Sequence, residues 1–163
     1  MVIEACREAF LSGIKKLVFI LNNKLLTLLL IGINSFDTSP YYGNSEYILG
    51  DALFELRNEF PRDHFYLATK IGRYGYTVKD FDYSAKRVYE SVEESMKRMH
   101  TDYLDVVYCH DVEFVDFQQV VGPNQALEAL FSLKNQGKVK YVGCSGIYKN
   151  TSISTRLSYF SSV

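Results

Sequence analysis

The chain has 163 residues, 47% of them hydrophobic, and a formal net charge of −1 at pH 7. This length fits a single domain, and the apolar content with a near-neutral charge is typical of a folded globular protein and excludes a disordered chain. Because basic residues are not in surplus, we expect no nucleic-acid partner.

The first predicted element is a helix over residues 3–14, and it is followed by an unusual segment over residues 15–32 that is rich in Leu and Lys. Its longest apolar run is shorter than the roughly 18–20 residues of a membrane span, so we expect no membrane association. The dipeptide Gly-Ile occurs at Gly13 and again at Gly32. We therefore interpret residues 15–32 as an atypical apolar insertion at a helix–strand junction, with a translated intron as one hypothesis for its origin.

The cysteines favour a reducing compartment. There are three, no two of them form a CxxC pair, and no segment is convincing as a secretory signal. We therefore expect a cytoplasmic protein.

After residue 32, strand-like apolar runs alternate with helical patterns. The next helices are predicted to begin at Asn44 or Ser45 and at Ser84, and another ends at Gly137. The predicted strands are Ile33–Thr38, Phe65–Lys70, Leu104–His110 and Val139–Ser145. Alternation of this kind predicts an α/β protein with a parallel sheet, and the nearly continuous apolar runs predict strands covered on both faces.

Each predicted strand ends in a polar side chain. Lys70, His110 and Ser145 are the last residues of their strands, Asp37 is the last but one of the first strand, and Tyr42 follows in the turn after it. In a barrel of parallel strands the carboxyl ends open on one face, so we expect these groups to converge there.

These residue types suit the transfer of a proton to or from a carbonyl oxygen. An ammonium group near a phenol favours the phenolate, a carboxylate can hold that ammonium in place, and an imidazole can bind the substrate oxygen. No side chain supplies a hydride, so this chemistry requires a nicotinamide cofactor.

Two other chemistries remain open at the third strand end. Cys109 beside His110 could form a nucleophile–base pair, and His110 with Asp111 could bind a metal in a hydrolase. Neighbouring residues of a strand point to opposite faces, which disfavours both readings, and we expect Cys109 to be a buried structural thiol. We expect no metal site.

The segments "FDTSPYYGNSE", "ATKIGR" and "LDVVYCHD" resemble the signature segments of the aldo-keto reductases, a family of (β/α)8 barrels that use NADP or NAD. The resemblance implies that Asp37, Tyr42, Lys70 and His110 are the catalytic residues. It also makes Ser145 a candidate partner for the nicotinamide amide of the cofactor.

A longer stretch, "SVEESMKRMHTDYLDVVYCHDVEF", resembles the branch of aldose 1-dehydrogenases that oxidise D-arabinose or L-galactose. This resemblance implies oxidation of the C1 hydroxyl of an aldose to a lactone. Tyr42 would be the general base in that direction and the proton donor in carbonyl reduction.

The length departs from the family, because a full barrel needs about 250 residues. We therefore expect residues 1–163 to form one partial aldo-keto reductase domain, about half of a (β/α)8 TIM barrel, with a divergent tail over residues 147–163. Half a barrel leaves unpaired strand edges and an uncovered apolar face, which favour self-association. The alternative to an enzyme is a catalytically inactive fragment that packs against a partner chain.

Overall fold

The computed structural model describes residues 24–146 of the chain. The predicted helix over residues 3–14, the first part of the predicted insertion and the predicted tail over residues 147–163 lie outside the described residues. The helices are α1 over residues 24–30, α2 (Ser45–Glu55), α3 (Ala85–Arg98), α4 (Gln118–Val121) and α5 (Ala126–Asn135). The strands are β1 (Ser35–Asp37), β2 (Tyr66–Ile71), β3 (Leu104–Cys109) and β4 (Val139–Cys144).

The four strands form one parallel sheet in the order β1-β2-β3-β4. Helices lie between successive strands, which confirms the predicted partial barrel of four parallel strands with flanking helices. Asp37 pairs with Ala68 in the register of β1 and β2, and Lys70 pairs with Tyr108 in that of β2 and β3. The strand alternation therefore directs Asp37, Lys70 and Tyr108 to the same face of the sheet.

The amphipathic helix α3 shows how the sequence forms the covered face. Ser84 caps its amino end by accepting a hydrogen bond from the Arg87 N–H at 3.4 Å. Val88, Val92 and Met96 recur every four residues and are buried in the core. Burying each such side chain contributes about 1.5–3 kcal/mol, so this stripe fixes the helix against the sheet.

The opposite face of the sheet is open within residues 24–146. Tyr66 and Tyr141 lie on it and are 53% and 63% exposed. The expectation that both faces are covered is therefore wrong for the described residues. The apolar runs gave a wrong prediction because Tyr and Val residues on an open face cannot be distinguished, from sequence alone, from residues packed beneath a helix.

The described part of the predicted insertion is helical and contributes to the core. Leu25 and Leu29 of α1 are buried in the main apolar cluster. Within residues 24–146, no helix has both the length and the apolar character that crossing a membrane requires.

Candidate active site

The carboxyl edge of the sheet carries a buried lysine paired with an aspartate. Lys70, near the end of β2, donates hydrogen bonds from Nζ to Asp37 Oδ2 at 2.5 Å and to the Thr38 carbonyl at 3.0 Å. The lysine side chain is buried, whereas Asp37 is half exposed. A buried charge is costly unless it is paired, so Asp37 and Thr38 fix the ammonium at this position.

Tyr42 lies beside this lysine, in the turn that leaves β1. The turn is closed by a hydrogen bond from the Tyr42 N–H to the Ser39 carbonyl at 3.0 Å. Lys70 Nζ lies 4.7 Å from the centroid of the Tyr42 ring, which is a cation–π contact. Within residues 24–146, no hydrogen bond joins the Tyr42 hydroxyl to Lys70, so the ammonium faces the ring of the tyrosine and not its oxygen.

His110 follows the last residue of β3 and is buried against Tyr42. The centroids of the two rings are 5.8 Å apart and the rings are perpendicular, at 89°. On the other side, His110 Nδ1 lies 3.3 Å from the hydroxyl oxygen of Ser39, which is itself fully buried. The structure thus brings together all four residues that the sequence predicted as an acid–base group: Asp37, Tyr42, Lys70 and His110.

Burial lowers the pKa of His110 below its ordinary value. The positive charges of Lys70 and Arg73 lower the pKa further, whereas the carboxylates of Asp111 and Asp37 oppose the shift. The imidazole is therefore neutral at neutral pH, and one of its nitrogens carries a hydrogen while the other accepts a hydrogen bond.

Asp111 lies beside His110, which contradicts the sequence prediction that these two neighbouring side chains point to opposite faces. The strand ends at Cys109, and Asp111 adopts the left-handed conformation, with φ 54° and ψ 47°. The alternation of side chains therefore does not extend to this residue, and Asp111 Oδ2 lies 3.5 Å from His110 Nε2.

No group of three or more His, Cys, Asp or Glu in the described part of the chain is arranged to hold a metal ion.

Cys109 lies in the core, on the face of the sheet that the helices cover. Burial raises the pKa of this thiol, which keeps it protonated. A thiolate is the form of cysteine that attacks a substrate, so the arrangement gives Cys109 no nucleophilic role.

Ser145 immediately follows β4, next to His110 across the carboxyl edge. Its N–H donates to the Cys109 carbonyl at 2.9 Å, and its buried hydroxyl oxygen has no hydrogen-bond partner among the described residues. Ser145 lines a cavity of about 330 Å³ together with Asp37, Lys70 and Tyr108. A hydroxyl can both donate and accept, so an unpaired one in this cavity fits the carboxamide of a nicotinamide ring.

Comparisons with known proteins show which family the chain resembles. The chain is 53% identical over 115 residues to D-arabinose 1-dehydrogenase of Saccharomyces cerevisiae, which covers 71% of this chain and 33% of that protein. It is 44% identical over 119 residues to L-galactose dehydrogenase of Arabidopsis thaliana, which covers 72% of this chain and 35% of that protein. An aldo-keto reductase of Bacillus halodurans, solved in its holo form, superposes with a TM-score of 0.65 and 29% identity over 82% of this chain and 43% of that one.

The chain spans about a third of the length of these curated relatives. The sequence model of the aldo/keto reductase family matches residues 21–155, which is most of the chain and includes every predicted site residue. The four parallel strands and their helices correspond to part of the (β/α)8 barrel of the structural relatives. On the basis of its sequence and its fold, the chain belongs to the aldo/keto reductase family.

Proposed function

We propose that the chain carries the acid–base site of an NAD(P)-dependent aldose 1-dehydrogenase that oxidises D-arabinose or L-galactose to a lactone. One observation carries this proposal: the Lys70 ammonium, paired with Asp37, lies against the ring of Tyr42, and His110 packs edge-on against the same ring. The names of the two curated relatives favour an aldose as the substrate.

In this proposal Tyr42 exchanges the proton. Its side chain is half exposed at the carboxyl edge of the sheet, where a substrate can reach the hydroxyl. Tyr42 takes the proton of the C1 hydroxyl during oxidation and returns it during carbonyl reduction. Acceptance of the hydride is the chemistry that a nicotinamide cofactor, NADP or NAD, supplies when bound.

The other residues prepare the site for that proton transfer. Lys70 keeps a fixed positive charge against the ring of Tyr42, and Asp37 holds the ammonium in place. His110 is neutral, so one ring N–H can donate to the substrate oxygen. Ser145 would bind the nicotinamide carboxamide through its unpaired hydroxyl.

The test is turnover by the purified 163-residue chain, followed by the formation of NADH or NADPH with D-arabinose and with L-galactose. Tyr42→Phe removes the proton-transferring oxygen and keeps the ring, so we expect a loss of at least ~100-fold in kcat. Tyr47→Phe on the exposed side of α2 is the matched control and keeps wild-type turnover. Retained turnover in Tyr42→Phe contradicts the role of the phenol.

A second candidate function is a non-catalytic unit that packs against another chain, including a second copy of itself. The observation that favours it is the open sheet face, on which Tyr66 of β2 and Tyr141 of β4 are exposed. Exposed apolar patches of this kind mark association surfaces.

Cofactor binding and sedimentation separate the two candidates. Binding of NAD or NADP, followed by tyrosine fluorescence, favours the enzyme; no binding at millimolar cofactor favours the packing unit. For the packing unit, Tyr66→Lys or Tyr141→Lys should convert an oligomer to a monomer in analytical ultracentrifugation. Tyr89→Lys, on the exposed side of α3, is the control and should leave the oligomer intact.

A further inference from the structure

Asp111 occupies a backbone position that is fixed from several sides. The His110 N–H donates to the Ile71 carbonyl at 2.9 Å, and the hydroxyl of buried Tyr83 donates to the His110 carbonyl. The Val112 N–H donates to the Ser145 carbonyl at 3.3 Å. The peptide groups on both sides of Asp111 are therefore fixed by hydrogen bonds. The left-handed conformation between them directs the Asp111 carboxylate toward the imidazole of His110.

Arg73 holds that carboxylate from the loop after β2. Its Nη1 donates to Asp111 Oδ2, and its Nη2 donates to the Tyr41 hydroxyl at 2.9 Å. The guanidinium also stacks on the Tyr41 ring, with Cζ 3.8 Å from the ring centroid. The guanidinium is planar, and it makes hydrogen bonds along its edge and a stacking contact on its face, so it can rotate little. The Asp111 oxygen that it binds, which also faces His110, is therefore fixed in position.

Ser39 constrains the opposite nitrogen of the imidazole. Its hydroxyl oxygen accepts a hydrogen bond from the Tyr41 N–H at 3.1 Å and lies 3.3 Å from His110 Nδ1. Within residues 24–146, His110 Nδ1 is the one acceptor in reach of the Ser39 hydroxyl hydrogen. A Ser39 hydroxyl that donates to Nδ1 leaves the single hydrogen of the neutral ring on Nε2.

We propose that Asp111, held by Arg73, is a positioning residue that fixes His110 in the tautomer with its hydrogen on Nε2. The Asp111 carboxylate favours a hydrogen on the neighbouring Nε2. Ser39 favours the same tautomer from the other side of the ring, because a hydroxyl donor beside Nδ1 favours a lone pair on that nitrogen. Tyr41 couples the two sides, since its N–H binds Ser39 and its hydroxyl binds Arg73. The inference rests on the proposed function only for its consequence, which is that Nε2, and not Nδ1, is the ring nitrogen that can donate to the substrate oxygen.

The tautomer can be measured without turnover. The chain has three histidines, His64, His100 and His110, so the ring nitrogens give few 15N signals, and His64→Gln and His100→Gln assign them. We expect the His110 signals of the wild-type chain at pH 7.5 to report a protonated Nε2 and an unprotonated Nδ1. Protonation on Nδ1 in the wild-type chain overturns the proposal.

Asp111→Asn tests the carboxylate. Asparagine also tolerates the left-handed conformation, so the backbone is retained while the charge beside Nε2 is lost. We expect the His110 signals to move toward averaged tautomer positions, and an unchanged spectrum overturns the proposal. Asp51→Asn is the matched control, because Asp51 Oδ1 lies 2.7 Å from His100 Nε2; it should change the His100 signals and leave those of His110 unchanged.

Ser39→Ala gives a second variant if Asp111→Asn does not fold, as judged by far-UV circular dichroism. It removes the donor to Nδ1, so the His110 signals should again average, and unchanged signals count against the proposal. In turnover assays, Asp111→Asn should lower kcat/KM for the aldose by ~10-fold and leave cofactor binding unchanged. If Asp111→Asn changes the tautomer of His110 but the wild-type chain shows no turnover, the proposed function is refuted and this inference is not.

Discussion

Replacing Asp105 should destabilise the fold more than any exposed carboxylate does. Asp105 lies in β3 on the helix-covered face and is 1% exposed. Its carboxylate accepts hydrogen bonds from the Leu67 N–H of β2 at 2.9 Å, from Arg62 Nη2 at 2.6 Å and from Lys140 Nζ of β4 at 2.9 Å. One side chain therefore links three neighbouring strands.

The magnitude follows from what Asp105→Ala leaves behind. The Leu67 N–H becomes a buried donor without a partner, which costs about 1–3 kcal/mol. Arg62 and Lys140 keep partial contact with water, at 21% and 47% exposure. Each of these ion pairs is therefore worth only about 0.5 kcal/mol after solvent screening. The free energy of unfolding should fall by about 2–4 kcal/mol in total.

Urea unfolding at pH 7, followed by far-UV circular dichroism, measures this loss. Asp102→Ala, three residues earlier on the exposed surface, is the control and should stay within about 0.5 kcal/mol of wild type. A loss below about 1 kcal/mol for Asp105→Ala, or an equal loss in the control, would refute the reasoning.

The same carboxylate predicts a dependence of stability on pH. Burial alone raises the pKa of Asp105, but hydrogen bonds from Leu67, Arg62 and Lys140 outweigh burial and leave the pKa below its usual range. A carboxyl with a lowered pKa in the folded state stabilises the fold above its unfolded pKa, near 3.9, and that contribution is lost as the pH falls through the folded value. The stability gap between wild type and Asp105→Asn should therefore be constant above about pH 5 and narrow below pH 4.

The remaining predictions concern the site and one helix contact. Lys70→Met should lower turnover by at least ~100-fold. The circular dichroism spectrum should be unchanged, because Asp37 is half exposed and stays solvated without its partner. Wild-type turnover in this variant would contradict the role proposed for Lys70. Gly50→Ala should lower the free energy of unfolding by about 1–3 kcal/mol, because the added methyl would overlap the Arg98 carbonyl oxygen and the Met99 Cα, which are backbone atoms that cannot rotate away. An unchanged urea midpoint for Gly50→Ala would show that α2 shifts without cost.

The strand ends could be predicted from the sequence because each combines an apolar run with a polar residue at its end. Asp37, Lys70 and His110 are each marked in this way, and the parallel sheet then brings them to one edge. Tyr42 was found from the turn that follows Asp37. Local sequence was sufficient here because strand alternation and strand order together determine where these side chains point.

The partners of His110 could not be predicted in the same way. The position of Asp111 depends on a left-handed backbone conformation, which aspartate adopts only in some contexts, and the usual alternation gave the opposite direction. Arg73 comes from a loop after β2 whose path the sequence does not define. The adjacent His110-Asp111 pair at a strand end was the one signal present, and it was interpreted only as a candidate metal site.

The direction of the strands limits how two copies of this sheet could complete one another. Because all four strands are parallel, a continuous parallel ring forms only if β4 of each copy lies beside β1 of the other. That arrangement requires a two-fold axis along the centre of the ring, and it would place both His110 side chains on one rim. Pairing β1 with β1 about a perpendicular axis would instead make the strands antiparallel and put the two rims at opposite ends. Tyr76 lies in the loop after β2, at the carboxyl edge of the sheet, and is exposed to solvent. The distance between labels attached at this position in the two copies, short in the first arrangement and long in the second, would identify which geometry an assembled pair adopts.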